Sequence, residues 1–164
     1  MKTNFLENNH VVHAAPLTLL AVGSDLWDGA GAAVLNCEVM SLKNADGAVF
    51  IIPVSEGATG TASVRICACD DVTPTNTVAV SFRYAKIQAP DTIEAVGESK
   101  AYLTTFEDSC VYVFEVDAAK VAEQGYEFVT LQAVEVAGQD TEGAVVSFLT
   151  GLRYKEDDIG TQVT

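Results

Sequence analysis

Alternation of apolar and polar residues is the dominant pattern along this chain. Thr61 to Cys69 places Val64, Ile66 and Ala68 on one side and Arg65 on the other, as a half-buried strand requires. Thr77 to Ile87 repeats the period, with Val78, Val80, Phe82 and Tyr84 opposed to Ala79, Ser81, Arg83 and Ala85. Ala48 to Val54 is apolar throughout and ends at the turn Ser55-Glu56-Gly57, which predicts a buried strand. Val34 to Leu42, containing Cys37, reads as another. Tyr112, Phe114 and Val116 form one face of a further strand. Glu127 to Ala137 and Ala144 to Tyr154 read as two more, joined as a hairpin by the turn-rich AGQDTEG.

Helical signals are confined to one place. Asp117 stands at the N-cap position before Ala118, Ala119, Lys120 and Val121, and Gly125 follows where a left-handed residue ends a helix, so the prediction is a short helix over Asp117 to Gln124. The stretch from 88 to 109 is the least regular, with a short strand expected at Ala101 to Thr105. His10 to Ala15 is expected to be an edge strand stopped by Pro16, since proline offers no ladder donor. The fold class that follows is all-β, a β-sandwich or jelly roll of about seven or eight strands with one short helix. Val80, Phe82, Phe114, Val129 and Leu131 are expected in its core. The expected organisation is an extended N-terminal arm over 1–15, a single β-sandwich domain over 16–155 and an acidic tail over 156–164.

Charge narrows the partners. The 164 residues carry 9 Lys and Arg against 23 Asp and Glu, a formal charge of −14, which repels phosphate backbones and anionic lipid. Neither nucleic acid nor membrane is expected as a partner, and basic protein surface is favoured. No run approaches the roughly 18 apolar residues of a membrane span, and the opening segment reads poorly as a signal peptide, so a cytoplasmic site of synthesis is expected. The four cysteines, Cys37, Cys67, Cys69 and Cys110, lie inside apolar runs and are expected to be buried thiols rather than a disulfide framework.

Candidate chemistry is sparse. Cys67 and Cys69 share a strand face and resemble half a zinc site, but no second Cys/His pair follows. His10 and His13 fall on opposite sides of an extended chain, which does not suit a common metal. Asp70 with Asp71, and Glu156 with Asp157 and Asp158, lack the alternating spacing of a calcium loop. Gly29 to Ala33 lacks the Lys-Ser/Thr end of a phosphate loop. Arg65, Arg83 and Arg153 fall one per strand on polar faces. No catalytic, cofactor or metal site is therefore expected, and the protein is not expected to be an enzyme. The arm mixes polar Lys2, Asn4 and Glu7 with apolar Phe5, Leu6, Val11 and Val12. These four residues, with the lone tryptophan Trp27 in a Gly- and Asp-rich loop, are the candidates for meeting a partner.

The order FIIPVSEGATGTASVRICACDD followed by VYVFEVDAAKVAEQGYEFVTLQAVEVAG resembles small structural proteins of tailed bacteriophages. The elements carrying the resemblance are Phe50 to Val54, Thr61 to Cys69, Phe114 to Val121 and Tyr126 to Leu131, within roughly residues 45 to 137. The resemblance implies a virion component, a capsid decoration or cement protein on the outer head surface. Its implied partners are the major capsid protein and further copies of itself, as a homo-oligomer with a trimer favoured. A tail or neck component is the alternative within the virion, and a carbohydrate-binding β-sandwich the alternative of another class.

Overall fold

Strands far apart in sequence pair in nested order around a shared core. The computed structural model describes residues 9–13, 26, 34–54, 61–88, 92–104, 109–137 and 143–152. Its strands are β1 (Asn9–His13), β2 (Val34–Asn36), β3 (Met40–Ser41), β4 (Gly47–Val54), β5 (Thr61–Cys69), β6 (Thr77–Val80), β7 (Phe82–Gln88), β8 (Thr92–Ser99), β9 (Tyr102–Leu103), β10 (Cys110–Asp117), β11 (Phe128–Ala137) and β12 (Val146–Thr150). The helix α1 spans Ala118–Ala122. One sheet runs β1-β12-β4-β10-β7-β8 and the other β2-β11-β5-β6, with β3 pairing β11 and β9 pairing β5; every pairing is antiparallel.

Setting aside β3 and the inserted β7, β8 and β9 leaves eight strands whose first pairs the last (β1 with β12), second the seventh (β2 with β11), third the sixth (β4 with β10) and fourth the fifth (β5 with β6). That nesting is the jelly-roll winding, which decides between the two all-β architectures expected. The strand number rises to twelve among the described residues because the insert widens the first sheet and short pieces extend the second.

Period-2 alternation explains the core. Phe50 and Ile52 from β4, Tyr112 and Phe114 from β10, Ile66 from β5 and Leu131 from β11 are fully buried between the sheets. Val80, Phe82, Phe114, Val129 and Leu131 all lie there as expected. Tyr102 reaches from β9, on the second sheet, to aromatic rings of the first, with centroids 4.4 Å from Tyr84, 5.9 Å from Tyr112 and 5.8 Å from Phe114. Such tilted pairs add to area burial and anchor the insert. The neighbouring Thr104 is buried, its Oγ1 accepting from Ala62 N at 2.8 Å.

Several local expectations are corrected. Val34 to Leu42 is two strands, because Asn36 pairs Gln132 while Met40 pairs Val129. One extra residue must therefore bulge out between them. The buried Thr130 hydroxyl donates to Cys37 O at 2.8 Å inside that bulge. Thr77 to Ile87 is also two strands: β6 joins the second sheet and β7 the first, the chain crossing at Ser81. β11 and β12 are not a hairpin, since they lie in different sheets. The stretch called irregular holds β8, whose Pro-preceded, charge-rich sequence hides an edge strand. Asp117 sits at the N-cap in extended conformation, but its side chain makes no capping bond; Ala118 N donates to Asp46 O at 2.8 Å instead. Gly125 does adopt the left-handed region, at φ 81°, with its N–H donating to Ala122 O.

Phe114 contacts Phe82 edge-on at 5.6 Å and is wholly buried. Phe114→Ala is expected to lower unfolding free energy by about 3–5 kcal/mol, whereas Val134→Ala, on the outer surface of β11, changes it by less than about 1 kcal/mol. Chemical denaturation monitored by circular dichroism measures both.

Candidate interaction surface

The outer face of the six-stranded sheet is where this fold departs from ordinary patterning. One side of a sandwich sheet packs on the core and the other is normally polar. In β4 and β10 both sides are apolar: inward Phe50, Ile52, Tyr112 and Phe114 alternate with outward Val49, Ile51, Pro53, Val111 and Val113. The register carries this across the sheet. One row reads Val146, Ile51, Val113, Ala85, Val96, and the next reads Pro53, Val111, Ile87, Ile93. A third begins Val11, Phe148, Val49 and turns charged at Glu115, Arg83 and Glu98. Towards the β8 edge the exposure is high, 64% for Val96 and 62% for Ile93. No described helix or strand packs across the face; α1 meets the ends of β4 and β10 and reaches Glu98 at the rim through Lys120. A depression of about 320 Å³ at one end is lined by Pro53, Ile87, Gln88, Ser109 and Val111.

The outer face of the other sheet is different. Thr61, Ser63 and Arg65 from β5 oppose Gln132 and Val134 from β11, and Gln132 Nε2 donates to Asn36 Oδ1 at 3.1 Å. Cys67 and Cys69 do share this face, as their spacing predicts, and Cys67 Sγ donates to Gln132 Oε1 at 3.3 Å. All four cysteines are free and buried. Burial raises each thiol above its ordinary range, Cys69 to about 12, with Cys67 and Asp70 adding like charge. Among the described residues no three His, Cys, Asp or Glu side chains come together as metal ligands.

A third feature is the acidic end at which α1 sits. The starts of β4 and β11 and the ends of β5 and β10 meet there, gathering Asp46, Asp70, Asp71, Asp117, Glu123 and Glu127. Asp70 is structural: its carboxylate accepts from Thr75 N at 3.1 Å, Thr75 Oγ1 at 2.7 Å, Asn76 N at 3.2 Å and Asn76 Nδ2 at 2.7 Å. These bonds, those from Asn76 and Thr75 side chains first, hold it well below the usual carboxylate range. The Glu98 carboxylate is likewise held low by Lys120 and Ser81, which bond it at the rim of the apolar face.

Among the described residues one charge lies inside. Lys86, 4% exposed, points inward beside Tyr112 and pairs with Glu94 Oε2 at 2.9 Å. Glu94 is the residue where β8 slips register against β7, the bulge swinging its carboxylate towards the lysine.

Of the expected partner-meeting residues, Val11 and Val12 fall among the described ones. Val12 is in this chain's own core, 2% exposed, because β1 pairs β12 and turns it inward; as a free anchor it is withdrawn. Val11 points the other way and is 45% exposed at the edge of the apolar face. Phe5, Leu6 and Trp27 lie outside the described residues, as do Arg153 and the acids Glu156, Asp157 and Asp158. The sequence signal of the apolar face is the unbroken apolar run in β4 and β10, which in antiparallel strands gives two apolar sides.

No protein-family model matches the chain, and no curated protein matches it in sequence. Among solved structures it is similar to the crystal structure of SPBc2 prophage-derived protein YomS. The identity is 14%, over 86% of this chain and 89% of that one, at a TM-score of 0.43. A likeness of that degree carries no assignment.

Two outcomes test the local chemistry. Asp70, its folded pKa depressed, contributes stability above the unfolded value of about 3.9 and loses it as pH falls through the folded one. Melting temperature should thus drop more steeply below about pH 4 for the wild type than for Asp70→Ala, the two curves converging at low pH. The four thiols should resist iodoacetamide in the native protein and all react in guanidinium, as mass spectrometry would count.

Proposed function

We propose that the protein is a virion structural component, a capsid decoration protein that attaches to the outside of a protein shell and bridges its subunits. The observation that carries this is the sequence resemblance itself. Its four segments coincide with β4, β5, the β10–α1 junction and β11, the strands at the centre of both sheets. Jelly rolls serve viral capsids as well as lectins and cupins, so the winding is compatible with the role without selecting it. The formal charge of −14 suits a basic shell surface, and the acidic end near α1 is the surface offered to it. Weak contacts repeated over many copies stabilise an assembled lattice by mass action.

Purified protein mixed with emptied heads should co-sediment with them, and the bound fraction should fall as salt is raised from about 0.05 M towards about 1 M, where the screening length is roughly 3 Å. Electron cryomicroscopy of the native particle should then show density for this jelly roll on the head. Density confined to the tail tube or baseplate would overturn the head assignment.

A further inference from the structure

We infer that the outer face of the six-stranded sheet is covered by a second copy of this chain, giving a dimer with the two sheets stacked face to face. The first ground is the size and shape of the face. The apolar positions of the three rows, on strands about 4.8 Å apart and in rows about 7 Å apart, give a nearly continuous field of roughly 400 Å². A stable interface takes about 800 Å² from each partner, so the field supplies its apolar centre and the charged row at Glu115, Arg83 and Glu98 its rim. An apolar patch of this size on a soluble domain is often a functional contact surface.

Charge selects the occupant. Most surfaces of this acidic chain would repel a second copy, but the rows Val146 to Val96 and Pro53 to Ile93 hold no charged side chain. Two copies therefore meet here with the least repulsion, whereas a basic partner would gain nothing from the face and everything from the acidic end. The edges also favour stacking over strand addition. β8 is guarded by the bulge at Glu94, and Glu94 is held by Lys86 and Glu98 by Lys120. Bulges and charges of this kind discourage a further strand at an edge. The flat face has no such guard. Because the contact is isologous, each residue on it is used twice.

Sedimentation velocity of the full chain over a range of concentrations and salt tests the assignment. The wild type should be dimeric and should tighten as salt screens the repulsion between two −14 chains, opposite in sign to the weakening expected for shell binding. Val113→Glu, near the centre of the face, and Val96→Glu should each raise the dimer Kd by roughly tenfold or more, the new charge being buried twice over. Val96 is 64% exposed, so its variant tests the interface even if Val113→Glu fails to fold, and circular dichroism should show it native. A wild type that is monomeric throughout overturns the inference. So does a dimer that neither substitution weakens. So too does a monomer whose binding to emptied heads, or to zwitterionic lipid vesicles, is lost in Val96→Glu, which assigns the face to that partner. The inference stands on its own geometry: a dimer that fails to bind heads would sink the virion reading and leave this one intact.

Discussion

The ladder between β4 and β10 is the interaction on which the rest of the molecule hangs. It pairs Gly47 through Val54 with Cys110 through Asp117 without a break, and each strand then recruits a further neighbour, β12 on one flank and β7 on the other. Its inward residues, Phe50, Ile52, Tyr112 and Phe114, are the floor against which β5 and β11 pack. A register slip of one residue would turn those four outward and put Val49, Ile51, Val111 and Val113 inside. In most sheets such a slip is punished by polar side chains entering the core; here the outward set is nearly as apolar. Bulky aromatic rings fill the space between the sheets as smaller β-branched side chains would not, so ring volume holds the register more than polarity does.

The two sheets have consequently diverged in purpose. The second sheet keeps a mixed outer surface, with Gln132, Asn36, Ser63 and Arg65 turned to water beside exposed Leu103, Val134 and Val136. The first presents two apolar faces, one for its own core. Buried Lys86 and its more exposed partner Glu94 sit where the inserted β7 and β8 join this sheet, close to Tyr84 and Tyr102. A charged pair in such a place adds little net stability, but breaking it would strand one buried charge. Replacing it with apolar residues would give β8 a smoother and less guarded edge.

How far the residues announced this architecture depends on length of pattern. β5 was legible because Val64, Ile66 and Ala68 alternate with Arg65, β10 because CVYVFEV is an apolar run rich in β-branched and aromatic residues, and α1 because Ala118 to Gln124 is bounded by Asp117 and Gly125. The breaks were not legible. Nothing local between Asn36 and Met40 or at Ser81 shows that the chain gains a residue or changes sheet, since both depend on where β11 and β10 run. β8 was missed because an edge strand that carries Glu94, Gly97 and Glu98 lacks the apolar alternation of a half-buried one. Lys86 could have been placed, because continuing the period of Val80, Phe82 and Tyr84 by one step puts it inside. Of the candidate surface, Val11 was named and its neighbours were not. The row that joins them exists only once β1, β12 and β4 are side by side.

Nested winding also has a consequence in time. In a chain that pairs first with last, second with seventh and third with sixth, few ladders can close between neighbours in sequence. Loop closure over such separations is slow, and folding rates fall as contacts become less local. During synthesis β1 has no partner until β12 has left the ribosome, and β4 waits on β10 while its apolar sides stand open. The growing chain is thus obliged to keep its most hydrophobic strands unpaired for much of translation. Its abundant acidic residues then act as a solubilising charge for the nascent polypeptide before they act for the folded one.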